Sequence, residues 1–245
     1  MRRILFRWRN LTVWSYPAML YVGLVAGVFV GNLAAHKTGA DALRVFIATL
    51  VLIPPAIAGA RLLYVAAHWS EYRDNTARIW NREEGGMAMY GGLPIMLLLS
   101  MPVLAALDLS FGAFWDIAVL TIMTGLALTK VGCLLNGCCA GRLSKSRAAV
   151  ALANVRGECE QRLPVQVFES LWAVVMVAGG SLLLGRLPFD GALFLIVAGV
   201  YATGRMALES LREREHAAQR FDIGRTVSAL TVACTAALLI VQWPR

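Results

Sequence analysis

The sequence predicts an all-α, polytopic membrane protein with about seven transmembrane helices. Of its 245 residues, 58% are hydrophobic and only 16% are charged, and the mean hydropathy is +0.64. These values lie outside the usual composition of soluble domains. Uncharged apolar runs also recur along the whole chain. We therefore expect a bilayer as the solvent and residues 1–245 to form a single membrane domain.

Seven apolar runs are the candidate spans, and a spanning helix needs about 20 mostly apolar residues. Three runs reach that length without any charged residue, and they cover residues 11–35, 85–107 and 226–244. Four shorter runs reach it only if each admits a charged or polar residue near one end. These four cover residues 45–60, 117–129, 170–185 and 191–204.

The N-terminal segment MRRILFRWRN is basic and precedes an apolar run, as in a secretory signal peptide. The run is longer than the apolar region of such a peptide, and more membrane segments follow, which favours a first transmembrane helix. The net charge of +8 belongs to basic residues at predicted helix ends, where lipid phosphates lie. The predicted partner is therefore anionic lipid and not nucleic acid.

The distribution of basic residues also predicts the orientation of the protein in the membrane. With seven spans, the N-terminus and the connections 68–84, 137–162 and 211–225 lie on one side of the membrane, and most Lys and Arg residues are there. The positive-inside rule places that side in the cytoplasm.

Ionisable residues at membrane depth are costly and are therefore functional candidates. Arg61 and Lys130 each end an apolar run, so both could equally be anchors whose charge reaches the interface. Arg205, Glu209 and Arg212 follow one another at i, i+4 and i+7 on one face of a helix. Such a pair with an additional arginine leaves positive charge available for a phosphate. Gln166 and Glu169 share a face at the start of another span.

Three of the five cysteines lie in one segment, as Cys133, Cys138 and Cys139. Zinc sites favour paired C-x-x-C knuckles with four ligands, and this segment offers C-x4-C-C with no nearby histidine, so we predict no metal. A disulfide relay, close packing between helices and a thiol that takes part in chemistry all remain open.

Five segments together resemble the phosphatidylglycerol:prolipoprotein diacylglyceryl transferase family from about residue 16 to about residue 228. GARLLYV at 59–65 resembles GARxxYV, and EGGMAMYGGL resembles the GGMSxHGGL loop. VGCLLNGCCAGR resembles the RxGNFxNGExxGR signature. LPVQVFES and GRMALESLR resemble HPSQLYE and FRxxxEFxR.

The resemblance implies an enzyme that moves the diacylglyceryl group of phosphatidylglycerol to a cysteine thiol of a prolipoprotein. It implies no cofactor beyond the lipid donor, and it implies residence in the bacterial cytoplasmic (inner) membrane. Arg142 and Arg205 would bind phosphate, and Glu209 would orient a guanidinium. The expected catalytic positions are Tyr90, Lys130, Arg142, Arg205 and Glu209, and the expected lipid-binding positions are Tyr16, Arg61, Asn136, Gln166 and Glu169.

Several positions depart from the family pattern. Tyr90 stands where the family has a histidine proposed as general base, and a tyrosine, with an unperturbed pKa of about 10, is a poor base at neutral pH. Lys130 replaces an arginine and loses its bidentate geometry. Cys133 and Cys138 replace an asparagine and a glutamate.

These departures leave three hypotheses. The chain is a transferase that uses the prolipoprotein thiol or another acceptor, a lipid-binding protein without transfer, or a thiol redox protein that uses its three clustered cysteines. In the family, the site opens on the extracytoplasmic side of the membrane. The positive-inside rule instead places the corresponding residues of this chain on the cytoplasmic side. Because some of these basic residues would bind lipid phosphate, they report orientation poorly, and we favour the family's orientation.

Overall fold

A computed structural model describes residues 4–9, 11–73, 75–80, 89–153, 159–212 and 223–243 of the chain. Its helices are α1 (Ser15–Thr38), α2 (Ala42–Ala67), α3 (Trp69–Tyr72), α4 (Met89–Ala106), α5 (Phe111–Asn136), α6 (Val165–Leu183), α7 (Ala192–Glu209) and α8 (Ile223–Gln242). A 3-10 turn covers Thr76–Trp80. Two small antiparallel sheets pair β1 (Ile4–Trp8) with β2 (Leu11–Trp14), and β3 (Val150–Ala153) with β4 (Cys159–Arg162).

The predicted all-α, polytopic membrane fold is confirmed. Within the described ranges, six helices are long and apolar enough to cross a bilayer, namely α1, α2, α5, α6, α7 and α8. The remaining predicted run corresponds to α4, an apolar helix that packs along α2. Residues 85–88 of that run, and residue 244 at the end of the last run, lie outside the described residues.

The first span begins four residues later than its apolar run. Residues 11–14 form β2 and pair with β1, and helix α1 begins only at Ser15. The local sequence explains this difference, because Thr12, Val13 and Trp14 are β-branched or aromatic and favour a strand. Pro17 fits the first turn of α1, where backbone N–H groups have no partner within the helix.

Helix α5 is the centre of the bundle and packs against α1, α6 and α7. Three glycines of α1 face it at intervals of four residues. A Cβ atom built on Gly23 would lie 2.8 Å from the Gly125 carbonyl oxygen, and one built on Gly27 would lie 2.6 Å from the Thr121 carbonyl oxygen. The absence of side chains therefore allows the two backbones to approach closely, as in small-xxx-small pairs of membrane helices.

A half-buried carboxylate joins α5 to the beginning of α7. Asp116 accepts hydrogen bonds from the backbone N–H groups of Gly191 and Phe194, each at 2.8 Å. These N–H groups belong to the first turn of α7, where helical partners are missing. Asp116 therefore caps α7 from a neighbouring helix and complements its positive end.

The opposite end of the bundle gathers the polar side chains singled out from the sequence. There, the C-terminal ends of α5 and α7 meet the N-terminal ends of α1 and α6. The connection between α5 and α6 folds back over this end through β3 and β4. It is tied down by isolated bridges from Gly141 to Arg212 and from Leu143 to Arg162.

Candidate functional site

A buried glutamate bridges cations from two other helices. Glu169 on α6 is only 1% exposed. Its Oε1 accepts a hydrogen bond from Arg205 Nη1 on α7, and its Oε2 lies 2.5 Å from Lys130 Nζ on α5. A carboxylate removed from water is stable only when its charge is paired and its oxygens are occupied. Glu169 therefore fixes the ends of three helices relative to one another.

The ion pairs continue along α7 towards the loop. Arg205 Nη2 lies 3.0 Å from Glu209 Oε2, and Arg212 Nη1 lies 3.6 Å from the same oxygen. We call Lys130, Glu169, Arg205, Glu209 and Arg212 the ion-pair chain. It contains three cations and two carboxylates. An anion at this end of the bundle would lie beside these cations.

Two buried donors beside the ion-pair chain have no acceptor among the described residues. They are Nε of Arg205, whose two other nitrogens are engaged, and Nε1 of the Trp172 indole. The indole lies so close to α7 that a Cβ atom at Gly204 would overlap it. Unsatisfied buried donors are costly, and in a functional site they are available to a ligand oxygen.

The loop after α5 turns back sharply over the helix end. Helix α5 ends at Asn136, and its capping residue Gly137 has a left-handed φ of 79°. The Cys138 N–H donates to the Cys133 carbonyl oxygen at 3.1 Å, which closes the turn. Cys139 also has a positive φ of 59°, a conformation uncommon outside glycine. Gln166 Nε2 donates to the Cys138 carbonyl oxygen at 2.8 Å, so α6 holds the turn in place.

This turn brings three thiols together. The sulfurs of Cys133, Cys138 and Cys139 all lie within 4.8 Å of one another, and all three residues are free cysteines. Cys133 is buried, whereas Cys138 and Cys139 are half-buried. We call these three residues the thiol cluster. Because the sulfurs are close and partly accessible, they can act together on one ligand.

Charge is distributed unevenly within the thiol cluster. Hydrogen bonds from the Cys133 thiol, and next from the Cys138 thiol, lower the pKa of Cys139 far below its ordinary value. The nearby cations Arg212 and Lys130 act in the same direction, whereas burial opposes them. Cys139 is therefore the member best suited to carry a negative charge.

The first turn of α1 also reaches this region. A Cβ atom at Gly132 would lie 2.9 Å from Met19 Cβ and 3.4 Å from Tyr16 Cα. Tyr16 consequently sits beside the end of α5 and interacts electrostatically with the three sulfurs of the thiol cluster. Asn136, the last residue of α5, interacts with the sulfur of Cys138.

Arg142 is attached to the site through its backbone. Its N–H donates to the Leu211 carbonyl oxygen at 2.9 Å, and its own carbonyl oxygen accepts from the Leu163 N–H at 3.2 Å. The Arg142 side chain is exposed. It is thus held at the open end of the bundle, next to the segment that carries Arg212.

Two of the predicted positions are not part of the ion-pair chain or the thiol cluster: Arg61 lies on α2, and the side chain of Tyr90 is not described. Arg61 is buried at the end of α2, where its guanidinium donates to the carbonyl oxygens of Ile79 and Arg78 at 2.7 and 3.2 Å. Its guanidinium carbon also lies 5.5 Å from the centre of the Tyr72 ring. These contacts tie α2 to the segment that follows it. Tyr90 belongs to the first turn of α4, and its side chain lies outside the described part of the chain.

Sequence reasoning paired Arg205 with Glu209 and placed Glu169 with Gln166, but it did not connect the two groups. The structure shows that Glu169 and Lys130 complete the environment of Arg205 from separate helices. Trp172 was missed altogether. Its position three residues after Glu169, on the same face of α6, is the signal that could have found it.

Comparison of the sequence with known proteins covers nearly the whole chain. The sequence model of the family described as prolipoprotein diacylglyceryl transferase matches residues 3–241. The chain belongs to the prolipoprotein diacylglyceryl transferase family.

Curated relatives in this family match most of the length of the chain. A phosphatidylglycerol–prolipoprotein diacylglyceryl transferase of Dehalococcoides mccartyi is 28% identical over 230 residues, which is 91% of this chain and 87% of the relative. A protein of the same name from Clostridium botulinum is 28% identical over 220 residues, which is 86% of this chain and 87% of the relative.

Three of the departures from the family pattern, those at Lys130, Cys133 and Cys138, are concentrated in space. Lys130 is part of the ion-pair chain, and Cys133 and Cys138 are part of the thiol cluster. The substitutions thus meet at one end of the bundle.

Proposed function

We propose that this membrane protein transfers the diacylglyceryl group of phosphatidylglycerol to the cysteine thiol of a prolipoprotein, in the bacterial cytoplasmic (inner) membrane. The observation that carries the proposal is the ion-pair chain centred on Arg205, buried where three apolar helices end. A phospholipid supplies an anion whose oxygens can accept hydrogen bonds from the buried donors beside this chain.

In this proposal Arg205 holds the lipid phosphate. Its Nε and the Trp172 indole are the buried donors that lack an acceptor among the described residues, so both can donate to phosphate oxygens. Glu169 and Glu209 occupy the other guanidinium nitrogens and fix the orientation of the group. When glycerol phosphate leaves, its second negative charge develops next to cations that are already in place.

The exposed Arg142 side chain supplies a second phosphate contact from the loop, as the family motif implies. Tyr16, Asn136, Gln166 and Glu169 surround the end of α5 and are proposed to shape the lipid headgroup site, with Arg61 as a further lipid-binding position on α2. Tyr90 is the proposed counterpart of the family's base. The proposed chemistry needs a thiolate, because a neutral thiol is a poor nucleophile.

The test is a transfer assay with purified full-length protein. The protein is incubated with labelled phosphatidylglycerol and a peptide that carries a lipoprotein-type cysteine, and peptide and lipid are followed by mass spectrometry. We expect the peptide to gain a diacylglyceryl mass, while a peptide with serine at that position does not.

Arg205→Ala should abolish the gain, because the phosphate loses its buried partner. Arg186→Ala is the matched control, since Arg186 is an exposed arginine at the opposite end of the bundle. A purified protein that retains phospholipid but modifies no peptide would refute the transferase proposal and favour lipid binding without transfer. Modification of another added thiol but not the peptide would refute the prolipoprotein acceptor alone.

A further inference from the structure

The thiol cluster has the dimensions of a metal site. Zinc binds thiolate sulfur at about 2.3 Å, which places the sulfurs of a tetrahedral site about 3.8 Å apart. Here the three sulfurs lie within 4.8 Å of one another. Small rotations of the three side chains would bring them to zinc distances without movement of the helices.

The spacing C-x4-C-C did not predict this arrangement, because it lacks a C-x-x-C knuckle. The turn at Gly137 and the left-handed backbone of Cys139 replace the knuckle by folding the loop back over Cys133. Gln166, which is 1% exposed, holds the Cys138 carbonyl oxygen at 2.8 Å. A ligand loop fixed by such a hydrogen bond is a recurrent feature of metal sites.

The number of protein ligands indicates whether a zinc site is structural or has an open position. Among the residues that the structure describes, no His, Asp or Glu joins the three sulfurs as a further ligand. Structural zinc sites are closed by four protein ligands, whereas sites with three protein ligands keep one position for water or substrate. Because Cys138 and Cys139 are half-buried, that position can be reached from outside the bundle.

The charge of such a site also suits its surroundings. Three thiolates around one Zn²⁺ carry a net charge of about −1. Lys130 and Arg212 both lie close enough to Cys139 to interact with it electrostatically. These cations would offset the excess negative charge, which would otherwise be costly at the edge of an apolar bundle.

We propose that Cys133, Cys138 and Cys139 bind a zinc ion whose open position takes the acceptor thiol. This inference rests on the proposed transferase function and names the group that activates its acceptor. It also gives a physical reason why the family's histidine can be replaced by Tyr90, because a thiol coordinated to zinc is deprotonated without a neighbouring base.

The transfer step balances without any oxidation or reduction. The acceptor thiol loses its proton to water when its sulfur coordinates the zinc. The resulting thiolate attacks the glyceryl carbon that carries the phosphodiester oxygen, so a C–S bond forms and the C–O bond breaks. The electrons of the C–O bond leave with glycerol phosphate, whose added negative charge is held beside Arg205.

Metal binding is tested first, without reference to activity. Full-length protein in detergent is reduced, stripped of metal with a chelator, and titrated with Co²⁺ as a spectroscopic substitute for Zn²⁺. We expect thiolate-to-cobalt charge-transfer absorption that saturates at one equivalent, and displacement of the cobalt by Zn²⁺. Zn²⁺ should also raise the unfolding temperature of the protein, because the folded state, with its three sulfurs already close together, binds the ion more tightly than the unfolded state does.

Variants make this measurement specific. Cys138→Ser should remove the absorption and the zinc-dependent rise in unfolding temperature. Gln166→Leu should weaken Co²⁺ binding by about 10–100-fold, as for other residues that orient a ligand. Cys159→Ser and Cys234→Ser are matched controls, since both thiols are exposed and lie outside the cluster. A titration of the unsubstituted protein without charge-transfer absorption would overturn the site, as would two of the three cysteines joined in a disulfide in freshly isolated protein.

The role of the open position is tested next. Addition of the cysteine peptide should change the cobalt spectrum, and the serine peptide should not. An unchanged spectrum would overturn thiol activation by the metal. Equal transfer rates for metal-free and zinc-loaded protein would overturn it too, while leaving the transferase function intact. Conversely, thiol-dependent spectral changes without any transfer would support the site and refute the proposed function.

Discussion

Glu169 and Arg205 form a buried ion pair between α6 and α7, and Glu169 also pairs with Lys130 from α5. Two guanidinium nitrogens of Arg205 are directed at two different carboxylates, those of Glu169 and Glu209. The relationship makes Arg205 the only described member of the ion-pair chain that joins both carboxylates. The two ion pairs therefore fix the orientation of the Arg205 guanidinium as well as neutralising its charge.

Removal of the shared carboxylate should destabilise the protein. Glu169→Gln leaves Lys130 and Arg205 buried without their common partner, and breaking a buried ion pair typically costs about 3–5 kcal/mol. We expect a clear fall in the unfolding temperature in detergent. Asp108→Asn is the control, because the Asp108 side chain is almost fully exposed and its pair with Arg44 lies at the surface. Similar unfolding temperatures for the two variants would contradict the structural role of Glu169.

Arg205→Lys should retain the fold better than Arg205→Ala but still lose activity. A lysine supplies one point charge and cannot reach both carboxylates and the phosphate at once. By analogy with removal of a single charge-stabilising donor, transfer should fall by about 10²–10³-fold. The comparison is made in the peptide assay, with Arg186→Lys as the exposed control. A lysine variant with full activity would show that bidentate geometry at this position is unimportant.

The close approach of α1 and α5 can be tested at one glycine. Gly27→Ala places a Cβ atom 2.6 Å from the Thr121 carbonyl oxygen, which is backbone and cannot rotate away. Overpacking of this kind typically costs about 1–3 kcal/mol. Gly179→Ala is the matched control in α6, where an added Cβ atom meets no neighbour within 4 Å. Thermal unfolding of both variants should show a loss for Gly27→Ala only.

The orientation of the protein is open to a labelling test. Cys159 on β4 is exposed and belongs to the connection that covers the site. If the site faces the extracytoplasmic side, a membrane-impermeant maleimide should label Cys159 in intact spheroplasts. A cysteine at position 186, introduced by Arg186→Cys in a Cys159→Ser background, should react only after permeabilisation. The reverse pattern would support the positive-inside rule and exclude a secreted prolipoprotein as acceptor.

The helices could be predicted from the sequence because apolar runs of nearly spanning length, with a polar residue admitted near one end where needed, indicate the segments that enter a bilayer. All seven runs correspond to helices, including α5, which continues to Asn136 beyond its run of residues 117–129. The strand character of residues 11–14 was missed because an apolar run does not reveal its backbone conformation. It depends on pairing with β1, a segment of mixed basic and apolar residues.

The candidate site was only partly predictable for a different reason. Arg205 and Glu209 are four residues apart on one helix, so their pairing follows from helical periodicity. Lys130, Glu169 and Arg205 come from three helices, and no local pattern specifies which of them will meet. The thiol cluster likewise depends on the sign of φ at Gly137 and Cys139, which the order of residue types does not determine.

Helix α7 is held by acidic side chains from other helices near both of its ends. Asp116 binds its first turn, and Glu169 binds Arg205 in its last turns. Sliding or rotation of α7 would move a charge away from its partner into an apolar environment. The guanidinium of Arg205 is thus kept at a constant depth in the bilayer. In the proposed function, a lipid approaching sideways within its own leaflet would meet that charge at one level of its length, and the depth of Arg205 would select which bond of the lipid is presented for reaction.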